Sequence, residues 1–146
     1  MTTDLTQRPP RSPRVRLGGF VTLPRILDKC RAVLAGKAGD YKFNCPLDQR
    51  FFEFAQIDAE AFKAEVSGGK GDGEMLVWVL RQAKQQLDAQ HIDAWSKLQA
   101  SRVPGDIDTR EFFHELHKQA GPNRTDIVTW FDLLDLDDFV SFGGTA

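Results

Sequence analysis

A chain of 146 residues that is 41% hydrophobic and 27% charged suffices for one domain burying about two thirds of its unfolded surface, which excludes global disorder, a collagen-like repeat and any need for a disulfide or metal staple. Its net charge of −2 argues against general nucleic-acid binding, which shows as a basic domain. No apolar run approaches the roughly 18 residues of a membrane span, and the N-terminus carries charges and prolines where a signal peptide needs an apolar stretch, so the expectation is a cytoplasmic protein without membrane contact.

The charge is unevenly placed. Residues 1–31 hold seven Arg/Lys against two acids, whereas residues 126–146 hold five Asp and no base. Residues 1–16 contain Pro9, Pro10 and Pro13 together with Arg8, Arg11, Arg14 and Arg16, and read as an extended arm of polyproline character ahead of a single domain over 17–146. Gly18 and Gly19 mark a turn. The first helix is expected over 22–36, with Pro24 in its first turn, Ile26, Leu27, Cys30, Val33 and Leu34 facing the core, and Gly36 as the stop. Its opposite face carries Arg25, Asp28, Lys29 and Ala32 and reads as the polar side.

Residues 40–43 alternate polar and apolar and predict a very short strand. Pro46 opens a second helix over 47–55, with Leu47, Phe51, Phe54 and Ala55 on one face. Asp58 caps a third over 59–66, which turns Phe62 and Val66 inward. The run GGKGDG at 68–73 lacks the order of a phosphate-binding loop and reads as a linker. A fourth helix over 74–87 places Met75, Leu76, Val79, Leu80, Ala83 and Leu87 together. Asp88 caps a fifth, carrying Ile92, Trp95 and Leu98, and Asp108 with Glu111 resembles a capping box for a sixth, carrying Phe112, Phe113, Leu116 and Ala120. The last helix is expected from Asn123 or Thr125, with Ile127, Trp130, Phe131 and Leu134 inward. The fold expected is all-α: one domain of six or seven short helices with a single core through Ile26, Leu27, Val33, Leu76, Val79, Leu80, Trp95, Phe112, Trp130 and Phe131.

Guanidinium groups bind carboxylate and phosphate bidentately, so Arg14, Arg16 and Arg25 are candidate anion-binding residues. The competing use is pairing with the chain's own acids. Because chain ends often lie close in a small domain, the arm is expected to fold back along the C-terminal segment, Arg14 or Arg16 meeting Asp132 or Asp135. A candidate polar site comprises Asp28, Tyr41, Cys45, Asp48 and Asp132. Cys45 precedes Pro46 at a helix start, where a thiolate would face the positive end of the helix dipole, although a packed small side chain is the commoner role. With only Cys30 and Cys45, two reduced thiols are expected. His114 and His117 have half a zinc site's spacing, but FHELHK is not HExxH and a third ligand is needed, so a surface or packing role is preferred and no metal centre is expected. The carboxylates of DLLDLDD at 132–138 lack the glycine and terminal glutamate of a calcium loop.

PRSPR at 10–14, LGG at 17–19, LPRILDKCRA at 23–32, LAG at 34–36, Tyr41, NCPLD at 44–48, DIVTWFDLLDLDD at 126–138 and SFGG at 141–144 together resemble the bacterial family catalogued as domain of unknown function 5069. The resemblance is specific at the two ends and loose between about residues 70 and 119. It implies a stand-alone helical domain and carries over no activity, cofactor or catalytic residue.

The function expected from these residues is a cytosolic helical binding or protein-interaction module, its site formed by the first helix, the 40–48 loop and the C-terminal segment, and its partner a small anion or a protein. The alternative is a small enzyme acting on an anionic metabolite, with Arg14 or Arg25 clamping the anion and Asp48, Tyr41 or Cys45 moving a proton or attacking. A second alternative is a metal-binding protein using His114 and His117.

Overall fold

Gly18 and Gly19 both take positive φ, 58° and 86°, and a Cβ on Gly18 would sit 2.5 Å from Leu76 Cδ1. Only glycine meets both demands, and the chain reverses there. In the computed structural model, which describes residues 2–146, this turn joins β1 (Arg16–Leu17) to β2 (Phe20–Val21) in a short antiparallel pair. Seven helices follow among the described residues: α1 (Leu23–Leu34), α2 (Pro46–Ala55), α3 (Ala59–Ser67), α4 (Asp72–Gln82), α5 (Ala89–Ser101), α6 (Ile107–Ala120) and α7 (Trp130–Ser141). None is long and apolar enough to cross a membrane.

The mainly helical expectation holds, with four local corrections. α4 spans Asp72–Gln82 rather than 74–87, so Ala83 and Leu87 lie beyond its end. Residues 40–43 are not a strand: Tyr41 N bonds back to Ala38 O and Asn44 turns at φ 61°, so the alternation serves a loop, and the β-pair forms at the glycine turn instead. The α6 cap is Asp106, whose carboxylate accepts from Thr109 N at 2.7 Å, two residues before the expected box. Thr129 and Asp132 form the box that starts α7, so Ile127 is buried ahead of the helix rather than within it. Both boxes follow the ordinary capping rule; Asp108, two residues after Asp106, and Thr125, four before Thr129, offer competing caps.

The core is two clusters, not one. The larger joins Phe20, Leu23, Ile26, Leu27, Cys30, Phe51, Phe62, Met75, Val79 and Ile92, and the smaller joins Phe113, Ile127, Leu133 and Leu136. Phe112, Leu80 and Leu34 are exposed, a correction to their expected burial. Adjacent helical positions point about 100° apart, so α6 can turn Phe113 into the small cluster only by turning Phe112 out. Trp130 is half-buried, and edge-on to Phe113 at 5.1 Å between ring centroids.

The largest departure concerns the polar face of α1. Arg25, Asp28, Lys29 and Ala32 are buried, because the arm, the 40–48 loop with α2, and α7 cover that face. Leu5 N donates to Lys37 O and Thr22 N to Pro13 O, each at 2.9 Å, and Leu5, Pro10 and Pro13 are buried. Arg11 forks onto Asp28 at 3.0 Å through Nε and Nη2 and reaches Asp72 at 2.8 Å through Nη1. Arg14 bonds both Asp132 and Asp135, and Ser12 Oγ donates to Asp135 at 2.7 Å. The arm thus folds back on the C-terminal helix through Arg14, while Arg16 pairs with Asp93 of α5.

Asp72 sits between Arg11 and Arg31. The bonds from Arg11, then those from Arg31, outweigh burial and hold its carboxyl below the ordinary 3.8. A lowered folded value means that the contribution to stability is present above the unfolded value and is lost as the pH falls through the folded one. Asp72→Asn is therefore expected to flatten the acid limb of a stability-versus-pH curve below about pH 4, measured by urea midpoints across the range. An unchanged limb would remove Asp72 from the arm's attachment.

Candidate functional site

A groove of 1420 Å³ runs beside the smaller cluster, lined by residues of α1, the 40–48 loop, α2, α6 and α7. One wall is Arg25 and Lys29 of α1, the loop residues Tyr41, Lys42 and Cys45, and Arg50 of α2; the other is Arg102, Thr109, Phe112, Leu116, Trp130 and Leu134. The first helix, the 40–48 loop and the C-terminal helix thus converge on it.

At its base Arg25 donates through Nη1 to Asp138 Oδ2 at 2.7 Å and through Nη2 to Asp138 Oδ1 at 3.3 Å. Both side chains are buried. Tyr41 Oη donates to Asp138 Oδ1 at 2.7 Å, its ring lies 5.6 Å from Arg25 Cζ, and it is parallel to the Phe142 ring at 6.5 Å between centroids. Burial first, and then the bond to Asp138, pushes the Tyr41 phenol well above its usual range, so it serves as a neutral donor. Burial, reinforced by the Asp138 charge, also raises the Asp137 carboxyl at the groove's edge. A second pair lies one turn along α1. Lys29 Nζ donates to both oxygens of Asp48 at 2.8 Å and approaches Cys45 Sγ at 3.4 Å, while Asn44 N donates to Asp48 Oδ2 at 2.9 Å.

Of the residues named from the sequence, Arg25, Tyr41 and Cys45 line the groove and Asp48 lies directly behind Lys29. The others lie elsewhere. Asp28 and Arg11 line a separate hollow of 800 Å³ beside the 69–72 loop; Arg14 and Asp132 face each other on the other side of α7's first turn; Arg16 is with Asp93. His117 Nε2 contacts Arg124 O at 2.7 Å and His114 is exposed. Among the described residues no group of three or more His, Cys, Asp or Glu is placed to hold a metal ion. Asp138, Arg50, Arg102 and Trp130 were not singled out as site residues. Asp138 was visible as one carboxylate of the DLLDLDD run, but Arg50 and Arg102 lie in no motif and only the fold brings them together.

Cys30 and Cys45 are both free thiols. Cys30 is buried and burial pushes its thiol up to about 12, whereas Cys45 lines the groove. Ellman's reagent is expected to label one thiol in the native protein and both in urea, the fast group being lost in Cys45→Ser. Equal labelling rates for the two native thiols would contradict this placement.

The family model of a domain of unknown function, DUF5069, matches residues 7–140 of the chain. No curated protein matches it.

Proposed function

The chain belongs to the DUF5069 family, and from the groove it carries we propose that it is a cytosolic binding module holding a small ligand between α1–α2 and α6–α7. The observation that carries this reading is the make-up of the groove: its walls set Trp130, Leu116 and Phe112 beside convergent polar groups, among them Arg25, Arg50, Arg102 and Tyr41, the mixture that fixes and orients a small ligand. Binding is favoured over catalysis because the ionisable groups at the base are already engaged. Asp138 is shared between Arg25 and Tyr41, and Asp48 accepts twice from Lys29, so the acid, phenol and amine are held in structural bonds rather than presented to a substrate. The enzyme reading has one contact in its favour, Lys29 Nζ to Cys45 Sγ at 3.4 Å.

The test uses an uncharged apolar fluorophore, N-phenyl-1-naphthylamine. Saturable binding with energy transfer from tryptophan is expected, and Leu134→Trp, which narrows the groove, is expected to abolish it while leaving the melting temperature within a few degrees. Wild-type protein that shows no saturable binding would overturn the reading.

A further inference from the structure

Arg11, Arg14, Arg16, Arg25, Arg31 and Arg124 each pair with an aspartate. Arg8, Arg50, Arg81, Arg102 and Arg110 do not, and of these Arg50 and Arg102 line the groove. No carboxylate of the described residues lies within ion-pair distance of either. Arg102 caps the C-terminus of α5 and its carbonyl accepts from Trp130 N at 3.0 Å, which ties its backbone to the start of α7. Burial first, and then the positive charge of Arg50, holds the Arg102 guanidinium below the ordinary value of 12.5, and the two side chains line the same groove. Arg102 is half-buried and Arg50 exposed, and an anion between two such like charges is favoured by both.

The acids of the same walls do not fill that role. Asp106 is engaged in the α6 cap with Thr109, and neither it nor Glu53, Asp40 or Asp137 pairs with either arginine. On the apolar half of the groove Leu116 and Trp130 pack on the smaller cluster, whereas Phe112 is 59% exposed, its ring 6.5 Å from that of Trp130.

Resting on the reading of the groove as a ligand site, we propose that its ligand is an amphipathic organic anion, with a carboxylate or phosphate head held between Arg50 and Arg102 and an apolar body lying along Trp130, Leu116 and Phe112. Guanidinium forks suit both heads, and aromatic walls with a charged end are how such sites orient a ligand.

Two probes sharing a skeleton and differing by one charge test this: 8-anilinonaphthalene-1-sulfonate and the uncharged N-phenyl-1-naphthylamine. Wild-type protein is expected to bind the sulfonate at least about tenfold more tightly, and Arg50→Gln and Arg102→Gln are each expected to weaken the sulfonate by about tenfold with the uncharged probe unchanged. Decanoate or decyl phosphate is expected to displace the sulfonate where decanol does not, and the more effective of the two identifies the head. If the uncharged probe binds but both arginine variants hold the sulfonate as well as wild type, or decanol displaces it equally, the inference fails and the groove reading stands. If neither probe binds, the groove reading itself has failed.

Discussion

Replacing Asp48 by alanine is expected to destabilise the fold by about 3–5 kcal/mol, the cost of leaving one partner of a buried ion pair alone. The Lys29 and Asp48 side chains are 5% and 1% exposed, and the ammonium has both carboxylate oxygens at 2.8 Å with only the weak acceptor Cys45 Sγ besides. Without Asp48, Asn44 N also loses the acceptor that anchors the loop into α2. The double variant Lys29→Met/Asp48→Leu separates the two causes. It removes the charge as well as its partner, so most of the loss is expected to return, because isosteric apolar replacement of a buried pair is often neutral. Urea midpoints on all three variants measure it. A loss below about 1 kcal/mol for Asp48→Ala would mean that Lys29 reaches water, and would place this wall of the groove on the surface.

Phe51→Ala is expected to cost about 3–5 kcal/mol, near the upper end, since the cavity left by a phenyl group cannot collapse where the surroundings are themselves rings. Phe51 is fully buried and lies edge-to-face with Phe20 at 5.4 Å, Phe52 at 5.5 Å, Trp95 at 6.2 Å and Phe62 at 6.4 Å between centroids. These contacts tie β2, α2, α3 and α5 together, and each adds about 0.5–1.5 kcal/mol beyond area burial. Phe54 is the control. It is half-buried and stacks on Trp95 at 4.8 Å, so Phe54→Ala is expected to lose less. A Phe54 variant as damaged as the Phe51 variant would move the centre of the large cluster out to Trp95.

What the amino-acid sequence determined by itself is what depends on neighbours within about four residues. Asp58 and Asp88 cap α3 and α5 as expected, accepting from Ala61 N and His91 N, because a side chain and a backbone amide three residues on meet whatever the rest of the chain does. The apolar periods that put Ile26, Leu27, Val79 and Phe131 inside belong to the same class. So does the preponderance of helix. The opposite charges of the two ends also foretold their meeting, since that attraction needs only that they lie near each other.

Tertiary structure decided the rest, for a reason visible on α1. Arg25 and Lys29 read as the polar side of α1 because local periodicity places polar residues opposite apolar ones. They are buried because Asp138, 113 positions away from Arg25, and Asp48, 19 positions from Lys29, arrive to neutralise them. A charge goes inside only where a partner meets it, and no window of sequence contains both members. The same holds for Arg14 choosing Asp132 and Asp135 while Arg16 takes Asp93, and for Phe112 facing the groove while Phe113 faces α7's cluster. Arg50 and Arg102 are the clearest case: one lies on α2 and the other just past the end of α5, 52 positions apart in sequence, and only the fold brings both to the same groove.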